Sequence, residues 1–456
     1  MPSEERSEYR RWNLCVIGAG PAGLIAAREL SREEHSVTVY EQKHDVGGNW
    51  LYDPKVEDDD PLGLNPHRKV HSSIYASLRL ISPRETMGLP DYPFSVKEGR
   101  DGRRFPSHTE LLLFLKDFAQ DFNLLPLISF NTFVEYVGMV AEEGGEGGKN
   151  IRWLVRCRRR VVSLEGAESE EVFEQVFDGV VVCNGHYTQP RIPQIPGMHR
   201  WPGRQIHSHN YRVPDPFDNE VVVVIGDSHS GRDISLELLR GAKEVHLSSK
   251  SSVVIEGLTK LQAEYPNFYI HSVIESLHDN GLVAFKDGFS VNADSILYCT
   301  GYSYSCPFLD TKGIVSVDRD HVGPLYEHIF PPLLAPSLSF IGIPKKIIAF
   351  PFFEAQSKWL AYVLSGKVAL PSVKDMFKAV EDSYQLRDVD DVPKHYTHDI
   401  ASFEYHDWLA DQSGYPHFED WKKDICFATF ANVDSNIDTF RDTWFDQELL
   451  DFALSI

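Results

Sequence analysis

Two glycine-rich turns carry the strongest chemical signal in this chain of 456 residues. Residues 18–23 read GAGPAG and residues 226–231 read GDSHSG, and each turn directly follows an apolar run. A glycine-rich turn between a buried strand and a helix lets a pyrophosphate approach the backbone, and the N terminus of the helix favours its negative charge. One such turn predicts one dinucleotide. Two in one chain predict two dinucleotides, and therefore redox chemistry.

The first turn has the full context of a dinucleotide-binding unit. Residues 14–17 (LCVI) are typical of a buried parallel strand, and a helix is predicted over 24–30. A second strand is predicted over 36–40 and ends at Glu41. Glu41 follows Gly18 by 23 residues (41 − 18), near the ~20 expected for the acid that binds a ribose hydroxyl. The run Gly48-Asn49-Trp50 is interpreted either as a segment lying against a flavin or as a plain turn with a core tryptophan.

The second turn follows a buried strand predicted over 221–225 and precedes a helix predicted over 233–239. It departs from the pattern of the first turn in two places. Ser228 replaces the middle glycine, which crowds the approach to the backbone. The strand that follows the predicted helix ends in Ser249 and Lys250, with no carboxylate. Because an acid there would repel a 2′-phosphate and an ammonium would attract it, this end favours NADPH over NADH. The alternative is that Lys250 is an ordinary solvated lysine.

Composition limits the possible partners. The chain has 67 acidic against 45 basic residues, a net charge of −22, which argues against nucleic acids and anionic membranes. No apolar run approaches the ~20 residues of a membrane span, and the N terminus lacks the apolar core of a signal peptide. The six cysteines form no CxxC pair, which weakens a disulfide reductase. A cytoplasmic enzyme is expected; the oligomeric state stays open.

The order of predicted elements indicates an α/β fold with two Rossmann-like dinucleotide-binding domains, the NADPH domain inserted into the FAD domain. The expected boundaries are 1–211 for the first part of the FAD domain, 212–325 for the NADPH domain and 326–456 for the C-terminal part of the FAD domain. A β-meander is predicted between 130 and 183. Ser107 and Glu110 form a possible capping box at the start of a helix.

The stretch between the two turns narrows the chemistry. His207 and His209 suggest a metal at most weakly, since no third ligand has a suitable spacing, and no metal is expected. The spacing of Trp201, Gly203, His207 and Tyr211 resembles the signature of the flavin-containing monooxygenases, in which the first residue is usually phenylalanine. Further landmarks that look like this family are the 18–23 turn, Gly48-x-Trp50, Asn184-Gly185 and residues 299–302 (CTGY).

Several other runs are similar to the plant S-oxygenating branch of that family. They are residues 77–79 (SLR), 83–85 (PRE), 322–326 (VGPLY), 340–344 (FIGIP) and 356–359 (QSKW). The resemblance implies an NADPH-dependent flavin monooxygenase that converts a small thioether and O2 to a sulfoxide through a C4a-hydroperoxyflavin. The implied thioether is an S-alk(en)yl-cysteine, its γ-glutamyl form or a methylthioalkyl glucosinolate. An N-hydroxylating or Baeyer–Villiger monooxygenase and a non-catalytic NADP-sensing flavoprotein are the alternatives.

The turns and the resemblance together give a set of expected site residues. Ser82 stands where relatives often have an asparagine near the flavin hydroperoxide, and it is the candidate catalytic residue. His207 and Tyr211 are expected to fix the interdomain geometry. The residues expected to hold FAD are Gly18, Ala19, Gly20, Pro21, Ala22, Gly23, Glu41, Gly48, Asn49, Trp50, Asn184 and Gln356. Those expected to hold NADPH are Gly226, Asp227, Ser228, His229, Ser230, Gly231, Ser249 and Lys250.

Overall fold

The computed structural model of the chain describes residues 10–65, 70–141, 151–162, 168–389 and 392–443. The α-helices in these ranges are α1 (Pro21–Arg32), α2 (Arg84–Met87), α3 (His108–Asp121), α4 (His229–Leu238), α5 (Glu256–Glu264), α6 (Ala349–Leu364), α7 (Val373–Val389), α8 (Glu404–Ser413), α9 (Asp420–Ser435) and α10 (Phe440–Thr443).

The strands of the described ranges include both long meander strands and two-residue pairs. They are β1 (Asn13–Ile17), β2 (Ser36–Tyr40), β3 (Ile128–Ser129), β4 (Thr132–Ala141), β5 (Ile151–Val162), β6 (Glu168–Phe177), β7 (Gly179–Val182), β8 (Gln189–Pro190), β9 (Arg204–His207), β10 (Val221–Ile225), β11 (Glu244–Ser248), β12 (Phe268–His271), β13 (Ile274–Leu277), β14 (Leu282–Phe285), β15 (Ser290–Asn292), β16 (Ser295–Tyr298), β17 (Tyr302–Ser303), β18 (Leu309–Asp310), β19 (Ser316–Val317), β20 (Val322–Gly323) and β21 (Leu338–Phe340).

Two five-stranded parallel sheets organise these elements. The first has the order β21-β7-β1-β2-β3 and the second β12-β11-β10-β16-β9. Strand β21 follows the whole second sheet in sequence and pairs with β7 of the first. The second Rossmann-like unit is therefore inserted into the first, which confirms the predicted α/β fold class.

Each parallel sheet is covered on both faces. In β1, Leu14 and Val16 pack with residues of α1, α3 and α6, whereas Cys15 and Ile17 pack against the antiparallel meander β4-β5-β6. In the second sheet, one face packs on α4 and α5 and the other on the hairpin strands β13-β14-β15. Burial on both faces explains why these strands are continuous apolar runs and not alternating ones.

The two units repeat with a constant offset. Shifting β1 by 208 residues gives the bounds of β10, and the same shift takes β2 onto β11 (13 + 208 = 221; 36 + 208 = 244). The predicted strands at 36–40 and 221–225 match the structure residue for residue. The helices begin three and four residues earlier than predicted, at Pro21 and His229, because the glycine turns themselves supply the first helical residues.

The division into 1–211, 212–325 and 326–456 stays a prediction. Strand β9 precedes residue 212 in sequence, yet it pairs in parallel with β16 and so belongs to the second sheet. Residues 204–207 are therefore part of the second unit, although the predicted boundary places them before it.

One local prediction was wrong. Helix α3 begins after Ser107, as the capping-box pattern indicates, but the Ser107 side chain makes no capping hydrogen bond. The backbone amide of Ser107 instead binds the Asp101 carboxylate at 2.9 Å, and that carboxylate also accepts from Arg103 Nε at 2.8 Å. The Asp101 loop, and not a box within the helix, fixes this helix start. Among the described residues no helix is both long and apolar enough to cross a bilayer.

A buried ionic cluster joins α1 to α6 beneath the first sheet. Arg28 is 2% exposed, and its Nε lies 2.8 Å from Glu29 Oε1. Its two terminal nitrogens contact Asp91, at 3.1 Å, and Glu354 of α6. A buried guanidinium surrounded by three carboxylates is costly to leave unpaired, so this cluster fixes the position of α6 relative to the first turn.

Candidate cofactor and active site

Two glycines of the first turn are required by the protein's own backbone. Gly18 has φ +101°, and a Cβ atom there would lie 2.7 Å from Cys183 O. A Cβ atom on Gly23 would lie 1.9 Å from Gly18 O. Because both obstacles are backbone atoms, no side-chain adjustment relieves them. Gly18 and Gly23 therefore shape the strand–turn–helix unit whether or not a ligand is bound.

Gly20 is different, because the protein itself leaves room there. It has φ −74°, and a Cβ atom would meet Gly48 alone, at 3.5 Å from Cα and 3.8 Å from N, which are ordinary contacts. It is the N-cap of α1, and Pro21 follows at the first helical position. A glycine that packing does not require, at the N terminus of a long helix, fits a pyrophosphate that must approach the backbone. The turn therefore fits the dinucleotide predicted from the sequence.

The other FAD candidates of this unit form a network around the turn. Glu41 is buried; its Oε2 accepts from Ala19 N at 2.7 Å and its Oε1 from Lys43 N at 2.8 Å. Burial raises the pKa of this carboxyl, although both hydrogen bonds act to lower it. Gly47 N donates to Ala19 O at 3.0 Å, which holds the Gly48 turn against residues 18–23.

Asn49 and Trp50 lie in the turn that faces Gly20. Asn49 accepts two hydrogen bonds from the next segment, from Ser72 Oγ at 2.7 Å and from Ser73 N at 2.8 Å. Trp50 is partly buried against the core under α1. This placement is compatible with both interpretations of residues 48–50, a flavin contact and a turn with a core tryptophan. The flavin contact stays a prediction.

The second turn repeats the backbone of the first. Gly226 has φ +105°, and a Cβ atom on Gly231 would lie 1.8 Å from Gly226 O. Ser228 occupies the position of Gly20 with nearly the same conformation, φ −80° and ψ −177° against φ −74° and ψ −176°. A side chain is tolerated there because this position needs no left-handed φ. The second turn thus keeps the two glycines that its backbone requires.

The remaining NADPH candidates surround the N terminus of α4. Ser249 is buried and donates from Oγ to Asp227 Oδ2 at 2.9 Å. Lys250 and Ser230 are exposed. Burial lowers the pKa of His229, the first residue of the helix, so a neutral imidazole adjoins the turn. The structure therefore brings these five side chains to one edge of the second sheet.

Three further predicted residues lie outside the two turns in the sequence, although Asn184 Cα would be only 3.7 Å from a Cβ atom on Gly18. Asn184 donates to Ser305 O at 2.8 Å. Gln356 of α6 is fully buried, accepts from Gly342 N at 3.1 Å and donates to Tyr405 Oη at 2.9 Å. Ser82 is partly buried just before α2. Their roles stay predictions, and the amide of Gln356 already has protein partners on both of its polar atoms.

The Trp201–Tyr211 stretch connects the two units, and its own side chains fix its conformation. The buried Trp201 ring lies where a Cβ atom on Gly203 would be, 2.3 Å away, so the pair needs glycine. His207 is fully buried; its Nδ1 accepts from His209 N at 3.0 Å, which leaves the proton on Nε2 for Gly301 O, also at 3.0 Å. Tyr211 donates to Glu237 Oε2 on α4 at 2.7 Å. These contacts support a positioning role.

Arg212, the residue after this stretch, is one that the sequence did not single out. It is 7% exposed and donates five hydrogen bonds, all to backbone carbonyls. The acceptors are the carbonyl oxygens of Asp53, Lys55, Ser72, His209 and Tyr211, at 2.7 to 3.1 Å. Burial lowers the pKa of Arg212. The acceptors come from three separate stretches of chain, so no local pattern signals this residue.

Within the described ranges, no group of three or more His, Cys, Asp or Glu side chains is arranged to hold a metal ion. Both ring nitrogens of His207 and the Nδ1 atom of His209 contact protein atoms. All six cysteines are free thiols in buried positions.

Comparison with known proteins identifies the family. The family model described as flavin-binding monooxygenase-like matches residues 11–272 and 266–415. The chain belongs to this flavin-binding monooxygenase family. It is 56% identical to flavin-containing monooxygenase FMO GS-OX-like 9 of Arabidopsis thaliana, over 99% of this chain and 97% of the relative. It is 46% identical to flavin-containing monooxygenase FMO GS-OX3 of the same plant, over 97% and 93%.

A solved structure of high similarity is that of S-allyl-L-cysteine S-oxygenase from Allium sativum. It is 45% identical, with a TM-score of 0.89, over 98% of this chain and 99% of the other. The monooxygenase is thus an enzyme that uses FAD and NADPH, as the two turns and the linker predicted. The flavin, when bound, supplies the redox and oxygen chemistry. The chain supplies two glycine turns that fit a pyrophosphate and the Trp201–Tyr211 stretch between them.

Glu327 of this monooxygenase gives a pH-dependent prediction. It lines a cavity of about 60 Å³ beside His328 and Tyr384, and burial raises its pKa from 4.5 to about 7. Between these two pH values, the Glu327 carboxyl is protonated in the folded state and ionised in the unfolded state. Above about pH 7 the folded state holds a buried negative charge, which lowers the free energy of unfolding. Glu327→Gln is expected to raise the free energy of unfolding by about 1–2 kcal/mol near pH 8, a figure reduced for partial solvent access, and by less near pH 5.

The measurement is urea unfolding of the FAD-loaded enzyme at both pH values. Glu264→Gln, at the exposed end of α5, removes a comparable charge without burial and should change little at either pH. An equal gain at both pH values would contradict the assignment of a raised pKa to Glu327.

Proposed function

We propose that this monooxygenase converts a small thioether to its sulfoxide. The observation that carries the proposal is the match over nearly the whole chain to the S-oxygenase of Allium sativum, a protein named for its action on S-allyl-L-cysteine. The proposed substrate classes are S-alk(en)yl-cysteines, their γ-glutamyl forms and methylthioalkyl glucosinolates. The acidic chain and the small cofactors support a cytoplasmic enzyme whose partners are small molecules.

The overall reaction balances without a protein nucleophile. A thioether, O2, NADPH and one proton give a sulfoxide, water and NADP⁺: one oxygen atom forms the new S–O bond and the other leaves as water. NADPH supplies the two electrons. The protein binds and orients both dinucleotides and keeps water from the reacting centre. This division of labour agrees with a site in which the buried histidines are already hydrogen-bonded to the protein.

The proposed residue roles follow the two turns. Residues 18–23 with Glu41 and residues 48–50 hold FAD, and residues 226–231 with Ser249 and Lys250 hold NADPH. Asn184, which adjoins Gly18, and Gln356 of α6 are proposed to support the flavin as well. Ser82 is the proposed catalytic group beside the reacting oxygen. These assignments rest on the turn geometry described above and on the position of each residue in the family's motifs.

The test is product analysis with the purified FAD-loaded enzyme and NADPH. S-allyl-L-cysteine, its γ-glutamyl dipeptide and a methylthioalkyl glucosinolate are compared with an alkyl amine and a cyclic ketone. We expect sulfoxide in a one-to-one ratio to NADPH consumed for at least one thioether, as measured by mass spectrometry and absorbance. Incubations without NADPH are the control.

The two other monooxygenase classes give distinct products. A hydroxylamine from the amine indicates N-hydroxylation, and a lactone from the ketone indicates a Baeyer–Villiger enzyme. Either product in the absence of sulfoxide would overturn the proposal. NADPH consumption with no oxygenated product from any of the five compounds would count against it as well.

A further inference from the structure

The constant offset between the two dinucleotide units allows their side chains to be compared position by position. Ala19 corresponds to Asp227, and Glu41 corresponds to Ser249 (19 + 208 = 227; 41 + 208 = 249). Within each unit, one contact joins the glycine turn to the end of the second strand: Ala19 with Glu41 in the first unit, and Asp227 with Ser249 in the second. This is the place where a dinucleotide-binding unit receives the adenosine ribose.

The carboxylate at this place belongs to the strand end in the first unit and to the glycine turn in the second. In the first, Glu41 at the strand end accepts a hydrogen bond from the turn, from Ala19 N at 2.7 Å. In the second, Ser249 at the strand end donates from its hydroxyl to the turn residue Asp227, at 2.9 Å. The strand end without an acid, which favours NADPH in the sequence, therefore has a carboxylate beside it after all.

The cations near Asp227 do not neutralise that carboxylate. Arg232 uses Nε on the backbone oxygen of Asp227, at 2.6 Å, and its NH1 on Asp434, at 2.7 Å. No ion pair to the Asp227 side chain occurs among the residues that the structure describes. Lys250 is exposed at the strand end, next to Ser249. One acid and one ammonium thus flank the position of the ribose.

We propose that Asp227 is a specificity-determining residue that limits the preference of this enzyme for NADPH over NADH. Its carboxylate repels the 2′-phosphate of NADPH and accepts hydrogen bonds from the free ribose hydroxyls of NADH, whereas Lys250 attracts the 2′-phosphate. The proposal rests on the assignment of NADPH to the second turn. Asp227 therefore lowers the preference for NADPH over NADH, and Lys250 raises it.

Binding of nucleotide fragments tests the proposal without turnover. The FAD-loaded enzyme is titrated calorimetrically with 2′,5′-ADP, which carries the 2′-phosphate, and with 5′-ADP, which has free ribose hydroxyls. Asp227→Asn is expected to tighten 2′,5′-ADP about tenfold, as removal of a unit charge close to a phosphate predicts, and to weaken 5′-ADP. Lys250→Ala is expected to weaken 2′,5′-ADP and to leave 5′-ADP nearly unchanged.

Asp279→Asn is the matched control. Asp279 lies exposed in the turn between β13 and β14, so its replacement removes the same charge from the same unit away from the ribose position. It should change neither affinity. Anaerobic flavin reduction by NADPH and by NADH gives a second readout. The kcat/KM value for NADPH divided by that for NADH should be higher in Asp227→Asn than in the native enzyme.

The possible failures are distinguishable. If both fragments bind and Asp227→Asn changes them no more than Asp279→Asn does, Asp227 does not determine specificity. If neither fragment binds the FAD-loaded native enzyme, the second turn is not the nucleotide site, and the proposal is overturned with that assignment. Sulfoxide formation is measured separately, so a missing sulfoxide with a clear shift in fragment binding would overturn the proposed function alone.

Discussion

Replacement of Gly20 by alanine is expected to leave a folded protein that has lost most of its FAD. The structure has room for the methyl group, since its nearest protein neighbour would be Gly48 Cα at 3.5 Å and φ is −74°. The added atom instead occupies the approach of the pyrophosphate to the backbone. Overpacking of this kind costs about 1–3 kcal/mol, so FAD affinity should fall by about one to two orders of magnitude and activity with it.

The measurement is flavin content after gel filtration, followed by titration of the apoprotein with FAD. Two glycines serve as comparisons. Gly102→Ala has an unobstructed Cβ, 3.7 Å from a Val96 methyl group, and should retain native flavin content. Gly23→Ala meets Gly18 O at 1.9 Å and should fail to fold correctly. Native FAD content in Gly20→Ala would show that the pyrophosphate does not pass this position.

Replacement of Arg212 by lysine is expected to destabilise the connection between the two units. The guanidinium has five N–H donors and five carbonyl acceptors, whereas an ammonium has three donors. At least two carbonyls in a buried region lose their partners. Each unpaired group costs about 1–3 kcal/mol, so the free energy of unfolding should fall by about 2–6 kcal/mol.

Urea unfolding followed by tryptophan and by flavin fluorescence measures this loss. Arg200→Lys is the matched control and should be neutral, because Arg200 is exposed and lies just before the Trp201–Tyr211 stretch. The contact network also predicts that flavin release precedes global unfolding in Arg212→Lys, because residues 53–55 and Ser72 adjoin the Asn49 turn. A stability equal to that of Arg200→Lys would contradict the role assigned to Arg212.

The parallel strands were predictable because their local pattern and their burial agree. Strands β2 and β10 are β-branched runs bounded by turns, and both faces of each sheet are covered, so the apolar run has one interpretation. The start of α3 shows the opposite case. Ser107 and Glu110 have the spacing of a capping box, but the carboxylate of Asp101 binds the Ser107 amide first. The capping-box pattern considers only residues at the start of the helix, so it does not include a contact from a loop residue such as Asp101.

The sequence by itself determined the two glycine turns, the two cofactors and the monooxygenase family, since each depends on motifs that are contiguous in the chain, among them the Trp201–Tyr211 stretch. Only the tertiary structure separated Gly20, where the protein itself leaves room for a side chain, from Gly18 and Gly23, which the backbone requires to be glycine. It also revealed Arg212, whose acceptors come from distant stretches. For Asp227, the sequence showed an acid in a turn, and folding placed that acid beside Ser249. The reason is the same in each case: a side chain's partners are set by distances across the fold, and these distances are not encoded in local spacing.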